Sequence, residues 1–288
     1  IEVRAVGVNA MDWKIRAGHL RLIKRARFPL VLGFDVAGEV AEIGPEVSRF
    51  EPGDPVFGLL DNPVGGAYAE YAVARESALA PKPESLTFEE AAAVPLAGLT
   101  ALQALRDRGE LASGEHLLVN GAAGGVGHLA VQIGVALGAH VTGVASASNE
   151  DLVRALGAER AIDYAEVDFT GEDVSYDVIF DAVATRSFDD CGAVLASDGG
   201  IYVSTLPSPR LLIWVALTAA GGLFGRHRRA RIVFAKPSGQ DLDVLGRLAD
   251  VGRLRPAVGR VYPLEEIRRA HDASESGHAR GKIVVRIE

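Results

Sequence analysis

The sequence predicts an α/β protein: a Rossmann-type, doubly wound parallel sheet joined to a mainly β domain. Three observations carry this. Strands and helices alternate from about residue 117 to 204, the βαβ pattern of a parallel sheet. The run LLVNGAAGGVGHLAVQIGVALG at 117–138 reads as an apolar strand, a glycine-rich turn and a helix opening at the last glycine. The first third shows instead short strands punctuated by Gly44-Pro45 and Pro52-Gly53-Asp54, which suit a partly open antiparallel barrel.

In chain order, β-branched and alternating runs predict strands at 2–8, 35–43, 55–60 and 67–74. From about Thr87 the period changes, and 88–107 reads as two helical stretches broken near Pro95. Strand 117–120 leads to helix 126–137, strand 140–145 to helix 150–156, and a short strand follows at 160–163. Strand 177–181, a helix near 188–195, strand 200–204 and a sixth strand at 232–234 complete the alternation. The tail offers a helix at 242–251, a strand at 258–261, a helix at 265–276 and a last strand at 282–287.

The bulk properties exclude several classes. A chain of 288 residues with 48% hydrophobic and 24% charged residues has room for two cores. A net charge of −8 argues against a general nucleic-acid binder. The single cysteine, Cys191, excludes an internal disulfide and a cysteine-rich metal cluster. The most apolar run, LLIWVALTAAGGLF at 211–224, is too short to span a bilayer comfortably and reads as a buried or interfacial helix. It leads into RHRRAR at 226–231, suited to covering a cleft, binding a phosphate, contacting a second subunit or simply ending a helix in solvent. There is no signal-peptide pattern, so a cytoplasmic location is expected. The chain opens in mid-strand at Ile1 with no initiator methionine, so a preceding segment, with any targeting signal in it, is expected to be missing.

The glycine-rich turn carries the chemistry. A tight turn aims backbone N–H groups at a ligand, and the positive end of the following helix faces its charge. The dinucleotide spacing GxGxxG is present as Ala122, Gly124 and Gly127, with alanine at the first site. Gly121, Ala122, Ala123, Gly124, Gly125, Val126 and Gly127 are therefore expected to cradle a pyrophosphate; the alternative is a βα turn with no ligand. The second strand of such a sheet ends at Ala145 and lacks the carboxylate that would repel a 2′-phosphate. Ser146 and Asn149 stand there instead, so NADP(H) is the expected cofactor, with Arg154, Arg280 or Lys282 supplying charge. Asn149 is equally well placed to cap the next helix.

Further stretches carry a resemblance: VNAMDWKIRAG (8–18), GFDVAGEVAEIG (33–44), GAYAEYAV (66–73), AAAVPLAGLTALQAL (91–105), NGAAGGVG (120–127), LGAERAIDY (156–164), YDVIFDAV (176–183) and GHARGKIVV (277–285). In this order the chain resembles the zinc-independent, zeta-crystallin-like quinone oxidoreductases of the medium-chain dehydrogenase/reductase superfamily, most of all the chloroplast-envelope homologues. The resemblance implies a GroES-like catalytic domain from both chain ends, residues 1–92 and 238–288, and a Rossmann domain at 93–237. It implies hydride transfer in the cleft between them, and usually a homodimer. It places Thr100 and Tyr164 on the cofactor, Tyr164 by the 2′-phosphate, with Val183 and the Ser204 to Leu206 segment along the nicotinamide. Tyr164 is also readable as a partly buried strand-end aromatic, and Thr100 as a helix residue bonding its own backbone.

Zinc members of that superfamily bind the metal through cysteine and histidine. The matching positions here are Asn9 and Phe34, and the histidines (19, 116, 128, 140, 227, 271 and 278) show no pairing on one face, so no metal is expected. Hydride must then go to an acceptor that is electrophilic by itself, a quinone or an α,β-unsaturated carbonyl, with a donor at the developing oxygen. Lys14 backed by Asn9 is the candidate, with Asp12 orienting either or capping a helix that starts at Trp13; Lys14 as a surface lysine is the competing reading. Two other functions stay open: a cofactor-binding protein with little turnover, and an enoyl-thioester reductase.

Overall fold

The structure is a computed structural model that describes residues 1–19, 29–221, 227–277 and 279–287. The end of the apolar run at 222–224, Arg226 and His278 lie outside the described residues. The chain divides into two compact units, Ile1–Leu99 with Lys236–Glu288, and Thr100–Ala235. The changeovers at 99/100 and 235/236 differ from the expected 92/93 and 237/238, since most of the helix that opens at Pro95 stays with the first unit.

The elements in chain order are β1 (Glu2–Val8), α1 (Ala10–Arg16), β2 (Asp35–Glu39), β3 (Pro55–Leu59), β4 (Leu79–Pro81), α2 (Phe88–Ala92) and α3 (Pro95–Leu102). Then come β5 (His116–Asn120), α4 (Gly127–Ala136), β6 (His140–Ala145), α5 (Glu150–Ala155), β7 (Arg160–Asp163), β8 (Val178–Asp181), β9 (Ile201–Ser204), α6 (Pro209–Gly221) and β10 (Arg229–Ile232). The tail holds α7 (Gly239–Asp250), β11 (Val258–Pro263), α8 (Ile267–Glu275) and β12 (Lys282–Arg286).

The first unit is a six-stranded sheet in the order β11-β12-β1-β2-β3-β4. Both chain ends meet in it, because β12 runs antiparallel to β1 with Val285 opposite Val6. Val6, Val36, Val56 and Val285 are fully buried in its core, each contributing about 1.5–3 kcal/mol through burial. β2 is shorter than expected: from Val40 the chain turns, with Val40 N–H bonded to Asp54 O at 2.9 Å and Gly53 N–H to Val40 O at 2.8 Å. The strand expected at 67–74 does not form. That stretch makes isolated bonds to the start of β1, such as Val3 N–H to Glu70 O at 2.8 Å, and to the turn before β2, such as Tyr68 N–H to Leu32 O at 2.9 Å.

The second unit is a parallel sheet in the order β10-β9-β8-β5-β6-β7. Leu117, Leu118 and Val119 of β5 and Ile179 and Phe180 of β8 have no exposure, as strands covered on both faces require. The strand order reverses between β5 and β8, the point where ligands of such sheets gather. The helix expected at 188–195 shrinks to one turn, Asp190–Gly192, opened by a capping box in which Asp190 accepts Ser187 N–H at 2.8 Å and Ser187 Oγ accepts Asp190 N–H at 3.2 Å. The sixth strand lies at Arg229–Ile232 rather than 232–234.

Candidate active site

In the second unit the expected cofactor residues gather at the carboxyl ends of the parallel strands. The glycine turn leaves β5 at the reversal point. Gly121 has φ +82°, a conformation that side chains rarely adopt. A Cβ on Gly127 would stand 2.0 Å from Gly121 O, so only glycine lets helix and turn close together. A Cβ on Gly124 would meet only Gly121 O, at 3.3 Å, and its other sides are open. The second glycine therefore bares the backbone to a ligand, and the third is needed for packing.

Around this turn, Tyr164 N–H donates to Ala145 O at 3.1 Å, which sets the tyrosine beside the end of β6. Its ring is 61% exposed, so the partly buried reading fails. Asn149 Nδ2 donates to Ser146 Oγ at 2.9 Å and Ser146 Oγ lies 3.1 Å from Ser148 Oγ. Asn149 makes no side-chain cap on α5, so the capping role is not seen. Val183 and Leu206 are exposed, Ser204 is buried with its Oγ 3.3 Å from Leu206 N, and Thr100 is buried on α3. The loop after β8 is shaped by Asp181, which the sequence did not single out. Its carboxylate accepts from Asn120 Nδ2 at 3.0 Å, Ala184 N–H at 2.7 Å, Arg186 N–H at 3.1 Å and Tyr202 OH at 3.1 Å.

In the first unit Asn9, Asp12 and Lys282 come together, joined by Asp35 and Tyr68. Lys282 is buried, and its ammonium donates to Val8 O at 3.1 Å, Asn9 Oδ1 at 2.5 Å and Asp35 Oδ2 at 3.2 Å. Asp35, with no exposure, also accepts from Asn9 Nδ2 at 2.9 Å and from Leu96 N–H at 2.7 Å in the first turn of α3. Burial pushes the Asp35 carboxyl up, against the pull of Lys282, Asn9 and Leu96. Asp12, equally buried, accepts Asn9 N–H at 2.8 Å and Tyr68 OH at 3.0 Å, while its Oδ1 has no partner among the described residues. Burial raises its carboxyl to about 7. Burial and Asp12 hold the Tyr68 hydroxyl well above its usual range, so it stays a donor.

Three expectations are corrected by this network. Lys282 is not available to a cofactor phosphate: its three protons are spent inside the fold and its side chain is only 4% exposed. Asn9 cannot back a donor at a substrate oxygen, since its amide gives both protons, to Gly7 O at 3.3 Å and Asp35, and takes one from Lys282. Asp12 orients the Asn9 backbone and caps a helix that starts at Ala10, not Trp13, and makes no bond to Lys14. Lys14 is half-buried, its ammonium 5.5 Å from the centre of the Trp13 ring. Asp35 and Tyr68 were missed. A charge opening an otherwise apolar strand, as in Asp35-Val-Ala-Gly and Lys282-Ile-Val-Val, is the signal that could have found the Asp35–Lys282 pair.

Residues 1–84 match the alcohol dehydrogenase GroES-like domain, and residues 156–285 match the zinc-binding dehydrogenase family. A chloroplastic quinone oxidoreductase of Triphysaria versicolor is 33% identical over 99% of this chain and 88% of its own. The chain belongs to the medium-chain dehydrogenase/reductase superfamily, among its quinone oxidoreductases. A mitochondrial NAD(P)H oxidoreductase of Mus musculus is 35% identical over the whole chain and 81% of its own. The solved quinone oxidoreductase of Coxiella burnetii matches with a TM-score of 0.85 at 35% identity, over the whole chain and 90% of its own. This member of the superfamily is thus an NAD(P)H-dependent oxidoreductase. The named relatives from plant and mouse are organellar, which lends the expected cytoplasmic location no support. No helix among the described residues is long and apolar enough to cross a membrane.

Zinc appears in one matched description, but the residues of this oxidoreductase do not fit it. Phe34 offers no ligand atom, the Asn9 oxygen is occupied by an ammonium, and the Asp35 carboxylate is already bonded by Lys282, Asn9 and Leu96, whereas zinc needs several thiolate, imidazole or carboxylate donors at once. The donor set here is matched to Lys282, not to a metal.

Proposed function

We propose that the chain is an NADPH-dependent reductase that passes hydride to quinones or α,β-unsaturated carbonyls with no metal ion. The open side of Gly124, at the reversal of the strand order, carries this reading. A bound nicotinamide cofactor supplies the hydride. Residues 121–127 would hold the pyrophosphate, with the N-terminus of α4 facing its charge. Ser146, Asn149 and the exposed Tyr164 offer hydroxyl and amide groups at the end of β6, and the one carboxylate opposite it, Asp163 on β7, already accepts Ala165 N–H at 3.1 Å; this supports the 2′-phosphate form. Val183 and Leu206 offer apolar contact to the nicotinamide, with Ser204 Oγ accepting Leu206 N–H at 3.3 Å; Thr100 is assigned to the cofactor by the family resemblance. The second unit is then the cofactor domain and the first the catalytic domain.

Without a Lewis acid the acceptor must spread its own developing charge, which quinones and conjugated carbonyls do. Lys14 is the donor at the developing oxygen, and Asp12 and Tyr68 position its helix through the α1 N-terminus. A homodimer fits the unpaired edge of β10 and the exposed Leu212, Ile213 and Leu217 on α6, and sedimentation would show it. A reducing compartment such as the cytoplasm suits a chain whose one cysteine is a buried thiol.

The test is Gly124→Val. Its backbone is open to a side chain, so unfolding should change little while NADPH binding is lost. Undiminished NADPH binding would remove the glycine turn from the site.

A further inference from the structure

The first unit holds a cavity outside the glycine turn and the Asp35–Lys282 pair, touching that network only through Tyr68, whose hydroxyl bonds Asp12. It has a volume of about 430 Å³, at the small end for ligand sites. Leu30, Leu32, Leu264 and Ile267 form its apolar walls. The walls are preformed. Tyr68 N–H bonds Leu32 O at 2.9 Å, and Gly66 and Ala67 N–H bond Gly33 O at 2.9 and 3.0 Å, which fixes one side. A Cβ on Gly65 would stand 2.1 Å from Gly33 O, so this joint accepts no side chain. The opposite side is α8 and the turn before it, where Leu264 and Ile267 rest on the core of the unit.

Two polar features of the cavity have no partner. His271 is 3% exposed, and its Nε2 bonds nothing among the described residues. Burial, with Arg16 nearby, lowers its pKa to about 4, so a neutral ring faces any ligand. Arg268, one helical turn before it on the same face of α8, is exposed and forms no ion pair among the described residues. Its neighbours do pair: Arg269 with Glu266 at 2.6 Å and Arg16 with Glu275 at 3.1 Å. An imidazole nitrogen and a forked guanidinium beside an apolar recess match one carboxylate with a short hydrocarbon tail.

We propose that this cavity is a second small-molecule site, taking a monocarboxylate of medium chain length with its head on Arg268 and His271 and its tail against Leu30, Leu32, Leu264 and Ile267.

The probe is octanoate, titrated calorimetrically into the intact protein at neutral pH, with octanol as the uncharged control. Saturable one-to-one binding is expected, weaker by about tenfold or more for octanol, and for Arg268→Glu. His271→Gln keeps a donor and should retain binding, whereas His271→Phe should lose it. Trp13 fluorescence during urea unfolding, in a Trp214→Phe background, reports whether the first unit of each variant is intact, and NADPH titration is read beside it. If Arg268→Glu does not fold, Ile267→Trp, which fills the recess from its rim, decides by abolishing binding. No saturable octanoate binding, equal binding of octanol, or binding that survives Arg268→Glu or Ile267→Trp would overturn the proposal. Because NADPH binding is read separately, its loss would count against the proposed reductase rather than this site.

Discussion

Replacing Lys282 with methionine should cost the first unit about 4 kcal/mol, the range for breaking a buried ion pair. The methionine keeps the volume but removes three donors at once, leaving Val8 O and Asn9 Oδ1 bare and Asp35 uncompensated. Asp35 retains only Leu96 N–H and Asn9 Nδ2. Adding Asp35→Asn should restore much of the loss. The new amide keeps an oxygen for Leu96 N–H, and its nitrogen can bond the Asn9 oxygen once that side chain turns over. The double variant should therefore be more stable than Lys282→Met by about 2 kcal/mol, so the two changes are non-additive, as contacting residues are. The two tryptophans make this measurable: Trp13 lies in the first unit and Trp214 in the second. In a Trp214→Phe background, urea unfolding followed by Trp13 fluorescence reports the first unit alone. The NADPH to NADH preference should not move. A loss below about 1 kcal/mol, strict additivity of the two changes, or an altered cofactor preference would refute the reasoning.

Other outcomes follow from the same geometry. Asp12→Asn should change the pH dependence of stability. Wild-type Asp12 titrates at about 7 when folded and 3.8 when unfolded, so the folded state holds the proton between them. Stability is therefore lost as pH rises through that window, by up to about 4 kcal/mol; a difference between wild type and variant that is flat with pH would contradict this. His271 acts in the opposite sense, its pKa lowered to about 4, so its contribution is lost as pH falls from 6.5. Lys14→Ala should lower kcat about a hundredfold with NADPH affinity intact; an unchanged kcat removes Lys14 from the mechanism. Ala145→Asp should shift kcat/KM toward NADH by about tenfold or more, even though Asp163 lies opposite in the strand register; an unmoved ratio would show that Ala145 does not mark the ribose.

The glycine turn was legible because it is local: strand, turn and helix follow one another within 117–138, and the steric demands on Gly121 and Gly127 are written in adjacent residues. The parallel strands were legible for a similar reason, since strands buried on both faces read as apolar runs. The Asp35–Lys282 pair was not, because its partners lie 247 residues apart and meet only when both chain ends enter one sheet. Lys282 therefore looked like a spare positive charge. The 67–74 stretch alternates like a strand but lacks a full partner, and pairing, not pattern, makes a strand. Asp181 looked like a strand end, although its carboxylate organises the loop that follows.

The central claim is hydride transfer from NADPH by a protein that needs no metal. It is tested most directly by stripping the intact chain with a strong chelator, confirming by elemental analysis that no stoichiometric zinc remains, and following NADPH consumption with 9,10-phenanthrenequinone. Undiminished turnover by the metal-free protein is the predicted result. Turnover that vanishes on stripping and returns with added zinc would contradict the account.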